Sequence, residues 1–150
     1  MPDIDKLVRE KVAAASVVAL MKDLVGEKYR LIIAYVNYGD QLRCFERDGI
    51  HSHFATHIEE ERELAYELAK HLTALDEDAP AKIPEVREVK LDHPRDVFEE
   101  ILRLEEKSLD LWTKLFEETS QDVALNGLAQ EGAVKDRQHI DDMKRYLRTK

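Results

Sequence analysis

The stretch DEDAPAKIPEVREVKLDHPR, Asp76 to Arg95, holds three of the chain's four prolines and separates two long runs of helical periodicity. Pro80, Pro84 and Pro94 fix φ and remove backbone donors, so regular helix is excluded there. About twenty extended residues reach well beyond the ~30 Å of a twenty-residue helix. Neighbouring ends in an up-and-down bundle need only a few residues, whereas two antiparallel hairpins need one long crossover. The expected fold is therefore all-α, a four-helix bundle of two hairpins joined between the second and third helices. A disordered acidic loop in a simpler bundle is the alternative.

Helical stretches flank the crossover in pairs. The first shows Met21, Leu24, Lys28, Leu31, Tyr35, Tyr38, Leu42 and Phe45 at spacings of three and four, the period of one helix face. Asp48-Gly49 is its expected end, since glycine readily takes the left-handed conformation of a helix stop. The second carries Phe54, Ile58, Glu61, Ala65, Leu68, Leu72 and Leu75, and the third, expected from near Asp96, carries Phe98, Leu102, Glu105, Leu109, Trp112 and Phe116. Thr119 to Asp122 is a polar break before the fourth, with Leu125, Ala129, Gly132, Asp136, His139, Met143 and Tyr146 on one face. At the N-terminus, Asp3 and Asp5 can cap a helix with the apolar stripe Ile4, Leu7, Val8 and Val12. The chain is expected to be one domain, with 1–16 an N-terminal helical extension and 17–148 the bundle.

A formal charge of −9 gives no general attraction to nucleic acid or anionic membrane, and both are excluded as expected partners. Cys44 is the single cysteine, so no internal disulfide forms and a reducing compartment is expected. No stretch is long enough to span a bilayer and no secretion signal is visible, which makes the cytoplasm the expected location.

Lys28, Glu61, Glu105 and the pair Asp136 and His139 interrupt the apolar faces, with apolar residues one turn away on both sides of each interruption. One such residue can snorkel to water, but a set spread over four helices describes a polar site in the core. Buried carboxylates need a cation, a proton or a metal. Their oxygens are hard ligands, and an imidazole among them favours iron or manganese over calcium. In an antiparallel pair, residues at one level are equidistant from the turn. Glu105 and Asp136 have their midpoint between Ser120 and Gln121, inside the polar break. Lys28 and Glu61 have theirs between Cys44 and Phe45, so they meet only if the first helix stops early or the second starts early.

These segments resemble the ferritin-like superfamily, in particular bacterioferritin-type and related diiron-carboxylate proteins. Glu59-Glu60-Glu61-Arg62-Glu63-Leu64-Ala65 looks like the second-helix signature, in which Glu-x-x-His is expected. Leu104-Glu105-Glu106-Lys107-Ser108-Leu109 is similar to the third-helix segment around its single ligand Glu. Asp136-Arg137-Gln138-His139-Ile140-Asp141 is similar to the fourth-helix Glu-x-x-His-Ile-Asp. Leu24-Val25-Gly26-Glu27 and Ile32-Ile33-Ala34-Tyr35 both echo the first helix, in registers one residue apart. The resemblance covers residues 17 to 148. It implies a ferritin-like bundle binding one or two iron or manganese ions, with ferrous-iron oxidation or oxygen and peroxide chemistry as the reactions such a centre supports. Glu61, Glu105, Asp136 and His139 are the implied ligands, with Glu27 and His57 as further candidates. A hydrogen bond from Tyr35 to a buried carboxylate is also implied.

The departures set the alternatives. Leu64 stands where the family has a histidine, and Asp136 where it has Glu. One register of the first helix puts Lys28 at the ligand position; the other supplies Glu27. With Lys28 inward, three carboxylates and one ammonium are balanced by one divalent ion or by protonation. With Glu27 inward, the inventory returns toward two ions. His57 lies one turn before Glu61 and shares its helix face, so it can replace the missing histidine. His53 and His57 also raise a hemerythrin-like alternative, but the further histidines that fold requires are missing at suitable spacing. The second functional reading is a metal-free relative in which Lys28 pairs with Glu61 and Glu105 and the protein serves assembly or partner binding. Tyr29, Ile33 and Val36 exceed one core-facing stripe, and with the N-terminal stripe they point to a homo-oligomer, a dimer in the first place.

Overall fold

The structure is a computed structural model that describes residues 4–42, 47–80, 83–87 and 93–148, with side chains from residue 15 onward. Its helices are α1 (Ile4–Asp40), α2 (Arg47–Ala74), α3 (Pro94–Glu118) and α4 (Val123–Arg148), with no strand among the described residues. From Ile4 onward the N-terminal extension is part of α1. The side chains of Ile4, Leu7, Val8 and Val12, and all of Cys44 and Phe45, lie outside the described residues.

The helix ends follow local chemistry. His93 caps α3: its backbone is extended and its Nδ1 accepts from Arg95 N at 3.1 Å, with Pro94 opening the first turn. Asp122 Oδ1 accepts from Leu125 N at 3.1 Å and starts α4, while Asn126 Nδ2 donates to the Phe116 carbonyl in the last turn of α3, beside the Thr119 backbone N–H. At the end of α2, Asp76 takes φ 57°, Asp76 N bonds Thr73 O and Glu77 N bonds Leu72 O, a Schellman closure. The expected stop at Asp48-Gly49 is wrong. The first helix ends at Asp40, and Asp48 lies in the first turn of α2, where a carboxylate suits the positive end of the helix dipole. This earlier turn brings Lys28 and Glu61 to one level.

Side-chain pairs fix the topology. Along α1 and α2, Lys28 meets Glu61 while the Gly39 carbonyl meets His51 Nε2 at 2.6 Å, an antiparallel order. Along α3 and α4, Glu105 meets His139 while Phe116 meets Asn126, again antiparallel. Tyr35 and Glu27 join α1 to α3, and Glu60 and His57 join α2 to α4. The described part of the crossover is anchored along α1: Glu77 pairs with Lys22 at 2.9 Å, and the Arg87 carbonyl accepts from Tyr38 OH at 2.8 Å. Those anchors are separated by about 24 Å of helix. The crossover expectation holds.

Two apolar clusters fill the bundle, one around Met21, Leu24, Leu68, Leu72, Trp112 and Leu125, the other around Leu31, Tyr35, Phe54, Phe98, Ile101 and Met143. Not every expected core position is inside. Leu75 is 47% exposed because it lies past the end of α2. Phe116 is 39% exposed and Leu115 fully buried instead. Helices that coil around one another bury a seam of period near 3.5, and a stripe of period 3.6 leaves it after a few turns.

Gly132 lets α4 approach α3 closely, since a Cβ there would overlap the indole of fully buried Trp112. Gly132→Ala should therefore destabilise the fold by about 1–3 kcal/mol in urea unfolding, the usual range for overpacking. Gly127→Ala, with open space at its Cβ, serves as the control and should be neutral or stabilising.

Candidate metal centre

Between the two apolar clusters, α1 contributes Lys28, α2 Glu61, α3 Glu105, and α4 both Asp136 and His139. Each is at most 1% exposed. The Lys28 ammonium lies 2.7 Å from Glu61 Oε2 and 2.7 Å from Asp136 Oδ1. The Trp112 ring also faces it, with the centroid 5.5 Å from Nζ, a cation–π contact. His139 Nδ1 is 3.0 Å from both Glu61 Oε1 and Glu105 Oε1. Tyr35 OH donates to Glu105 Oε1 at 2.7 Å, and His139 Nε2 reaches Glu60 Oε2 at 3.3 Å. One ligand atom from each of Glu61, Glu105, Asp136 and His139 can be chosen so that all lie within 4.8 Å of one another. Glu105 Oε2 is buried and accepts no hydrogen bond.

Protons and ion pairs settle the charge. Burial works against the Lys28 ammonium, but Asp136, Glu61 and Glu105 outweigh it and raise its pKa above the ordinary lysine value. Burial also opposes ionisation of Glu61, yet Lys28 and His139 bring its pKa down to about 2. Glu105 has no ammonium in contact; burial, then Glu61 and Asp136, push it up to about 8. Burial raises Asp136 to about 6, with Lys28 opposing. Burial disfavours the charged form of His139, but hydrogen bonds to Glu105 and Glu61 raise it to about 11. At neutral pH and without a metal, the cations Lys28 and His139 balance Glu61 and Asp136, and Glu105 keeps its proton.

The cluster thus unites Glu61, Glu105, Asp136 and His139 and takes Lys28 as its first-helix member. Glu27 lies outside it, bound to Arg30 Nη2 at 2.6 Å and near Lys107 Nζ at 3.4 Å. Lys28 pairs with Glu61 and Asp136, not with Glu61 and Glu105 as expected, and Glu105 Oε1 faces Tyr35 and His139 instead. His57 is also outside the four-donor set. Its Nδ1 is 3.1 Å from Tyr35 OH, its Nε2 3.1 Å from Asp142 Oδ2, and its ring stacks on His139 at 4.1 Å between centroids. Burial, then the charge of His139, lower its pKa to about 4, with Asp142 opposing. The stripe reading missed Glu60 and Asp142. The spacing of Asp142, three residues after His139 on one helix face, was the available signal.

The sequence matches the Ferritin family, described as a ferritin-like domain, over residues 18–150. The chain belongs to that family. Solved structures of the same fold include a ferritin-like, diiron-carboxylate protein from Bacillus anthracis str. Ames, at 16% identity and TM-score 0.84, covering 90% of this chain and 97% of that one. Dps from Thermosynechococcus elongatus matches at 16% identity and TM-score 0.81, over 91% and 92% of the two chains. A mutant of Dps1 from Mycobacterium smegmatis matches at 14% and 0.79, over 90% and 97%. No curated protein matches the chain. None of its described helices is long and apolar enough to cross a membrane.

Glu105 gives a pH test. Its carboxyl holds a proton up to about pH 8 when folded but only to its ordinary value of 4.5 when unfolded. Its contribution to stability is full below about 4.5 and is lost as pH rises through about 8. In chelator-treated protein the thermal midpoint should fall across that window, and Glu105→Gln should flatten the fall. An identical slope in the variant would remove Glu105 as its source.

Proposed function

We propose that this ferritin-like protein binds one divalent transition-metal ion, iron or manganese, through Glu61, Glu105, Asp136 and His139. The convergence of those four buried donors within 4.8 Å, with Glu105 Oε2 accepting no hydrogen bond, carries the reading. Three carboxylates and an imidazole suit either metal. Charge supports it as well: three carboxylates, one ammonium and a neutral His139 leave a double negative charge, which one divalent ion cancels. A second ion fits poorly, because the Lys28 ammonium stands between Glu61 and Asp136 and Leu64 offers no donor. The diiron-carboxylate relative supports iron as the metal.

When bound, such an ion supplies redox chemistry toward oxygen or peroxide. The chain's own groups have definite tasks beside it. Lys28 holds Glu61 and Asp136 in place, Tyr35 orients Glu105, and Glu60 orients His139 through Nε2. The surrounding apolar layers keep bulk water from the carboxylates. A lone ion leaves ferrous-iron oxidation slow or absent. The metal-free reading has one observation in its favour, the balance already reached by Lys28 and protonated His139. Desolvating those charges makes such a cluster a poor source of net stability, so in that reading it would serve assembly or partner binding.

Metal analysis decides between them. Protein purified without chelators, then dialysed against a weak chelator to strip surface ions, should keep one iron or manganese per chain. His139→Ala should lower that content severalfold with helical circular dichroism intact, and Lys28→Glu should raise it toward two and speed ferrous-iron oxidation. A metal-free wild type, or unchanged content in His139→Ala, would contradict the proposal.

We also propose a homo-oligomer, most simply a dimer, through α1. Val36 is 53% exposed, and half-buried Ile32 and Ile33 lie one turn before it on α1. Light scattering at micromolar concentration should give a mass well above the 17.4 kDa of one chain. A clean monomer would rule this out.

A further inference from the structure

We propose a second, solvent-open site for a divalent transition-metal ion, formed by His53 and His57 of α2 with Asp142 of α4. It is separate from the buried four-donor cluster. His53 and His57 are four apart and share a helix face, and Asp142 faces them from the neighbouring helix. One ligand atom from each lies within 4.8 Å of the others, with His57 buried, Asp142 half-buried and His53 exposed.

The proton positions favour an ion there. Tyr35 OH donates to Glu105 Oε1, so the Tyr35 oxygen is left to accept. The atom next to it is His57 Nδ1 at 3.1 Å, which carries the hydrogen whenever Glu105 is ionised and accepts from Tyr35. A neutral imidazole protonated at Nδ1 presents a bare lone pair at Nε2, and that atom lies 3.1 Å from Asp142 Oδ2. A lone pair facing a carboxylate oxygen is unfavourable unless a cation joins them. His53 adds a second imidazole on the solvent side, its ring 6.2 Å from that of His57. Arg145 approaches the other Asp142 oxygen, Oδ1, at 3.7 Å and is itself exposed, which leaves Oδ2 for the ion. Two imidazoles and one carboxylate form a donor set for iron, cobalt or zinc, with the remaining positions open to water. The Tyr35 bond to His57 Nδ1 supplies the outer support that fixes a ligating histidine's tautomer. A proton on His57 Nε2 would satisfy the same geometry as an ion pair, and binding experiments separate the two cases.

The test is titration of chelator-stripped protein with Co²⁺, followed by calorimetry and visible absorption. Wild type should bind two ions per chain. His53→Ala and Asp142→Asn, both on the bundle surface and outside the buried cluster, should each weaken one of the two by roughly tenfold or more. The other ion's spectrum and the helical circular dichroism should not change. A single ion lost in both variants would also support the outer site, and would count against the core reading instead. A single ion retained in both, two ions retained in both, or no ion bound would overturn the outer site.

Discussion

The Lys28 ammonium, held at 2.7 Å from both Glu61 and Asp136, is the interaction on which the core depends. Without it, three carboxylates would share a space from which water is excluded, and the helices carrying them would repel one another. With it, Glu61 stays ionised to low pH and only Glu105 must keep a proton. The same ammonium sets the capacity of the centre. A cation built into the chain stands between two carboxylates, so the donors left for a metal suit one ion rather than two.

This arrangement divides the interior. Apolar clusters lie on either side of the charged layer, and the layer itself is a weak source of stability. Hydrophobic packing must therefore support a layer that resists burial, which explains how closely it is roofed. Trp112 faces the ammonium and occupies space that only glycine at 132 leaves open. Tyr35 extends the layer outward, from Glu105 to His57 and on to Asp142 near the surface. The buried cluster and the outer histidines are thus joined by one chain of hydrogen bonds.

Much of this was legible in the sequence. Three prolines in one long connection dictated the crossover, and charged residues at stripe positions marked the members of the cluster. The level of Glu105 and Asp136 followed from their distance to the polar break, because that turn has an unambiguous cap in Asp122. The first hairpin was harder: Asp48-Gly49 looks like a helix stop, yet an acid near the start of a helix satisfies the same pair of residues. Which of Glu27 and Lys28 faces inward depended on the roll of α1, which adjacent residues cannot reveal. It is fixed by the packing of Met21, Leu24, Leu31 and Tyr35 on the same face. Glu60 and Asp142 were missed because they flank the core rather than fill it; an apolar stripe does not mark such positions, and for Asp142 only its spacing from His139 did.

Anomalous diffraction at the iron absorption edge, from crystals grown with ferrous iron, tests the central claim most directly. One peak in the core, bounded by Glu61, Glu105, Asp136 and His139, is predicted, with the Lys28 ammonium still between Glu61 and Asp136. Two core peaks with Lys28 turned away, or no core peak at all, would contradict the account.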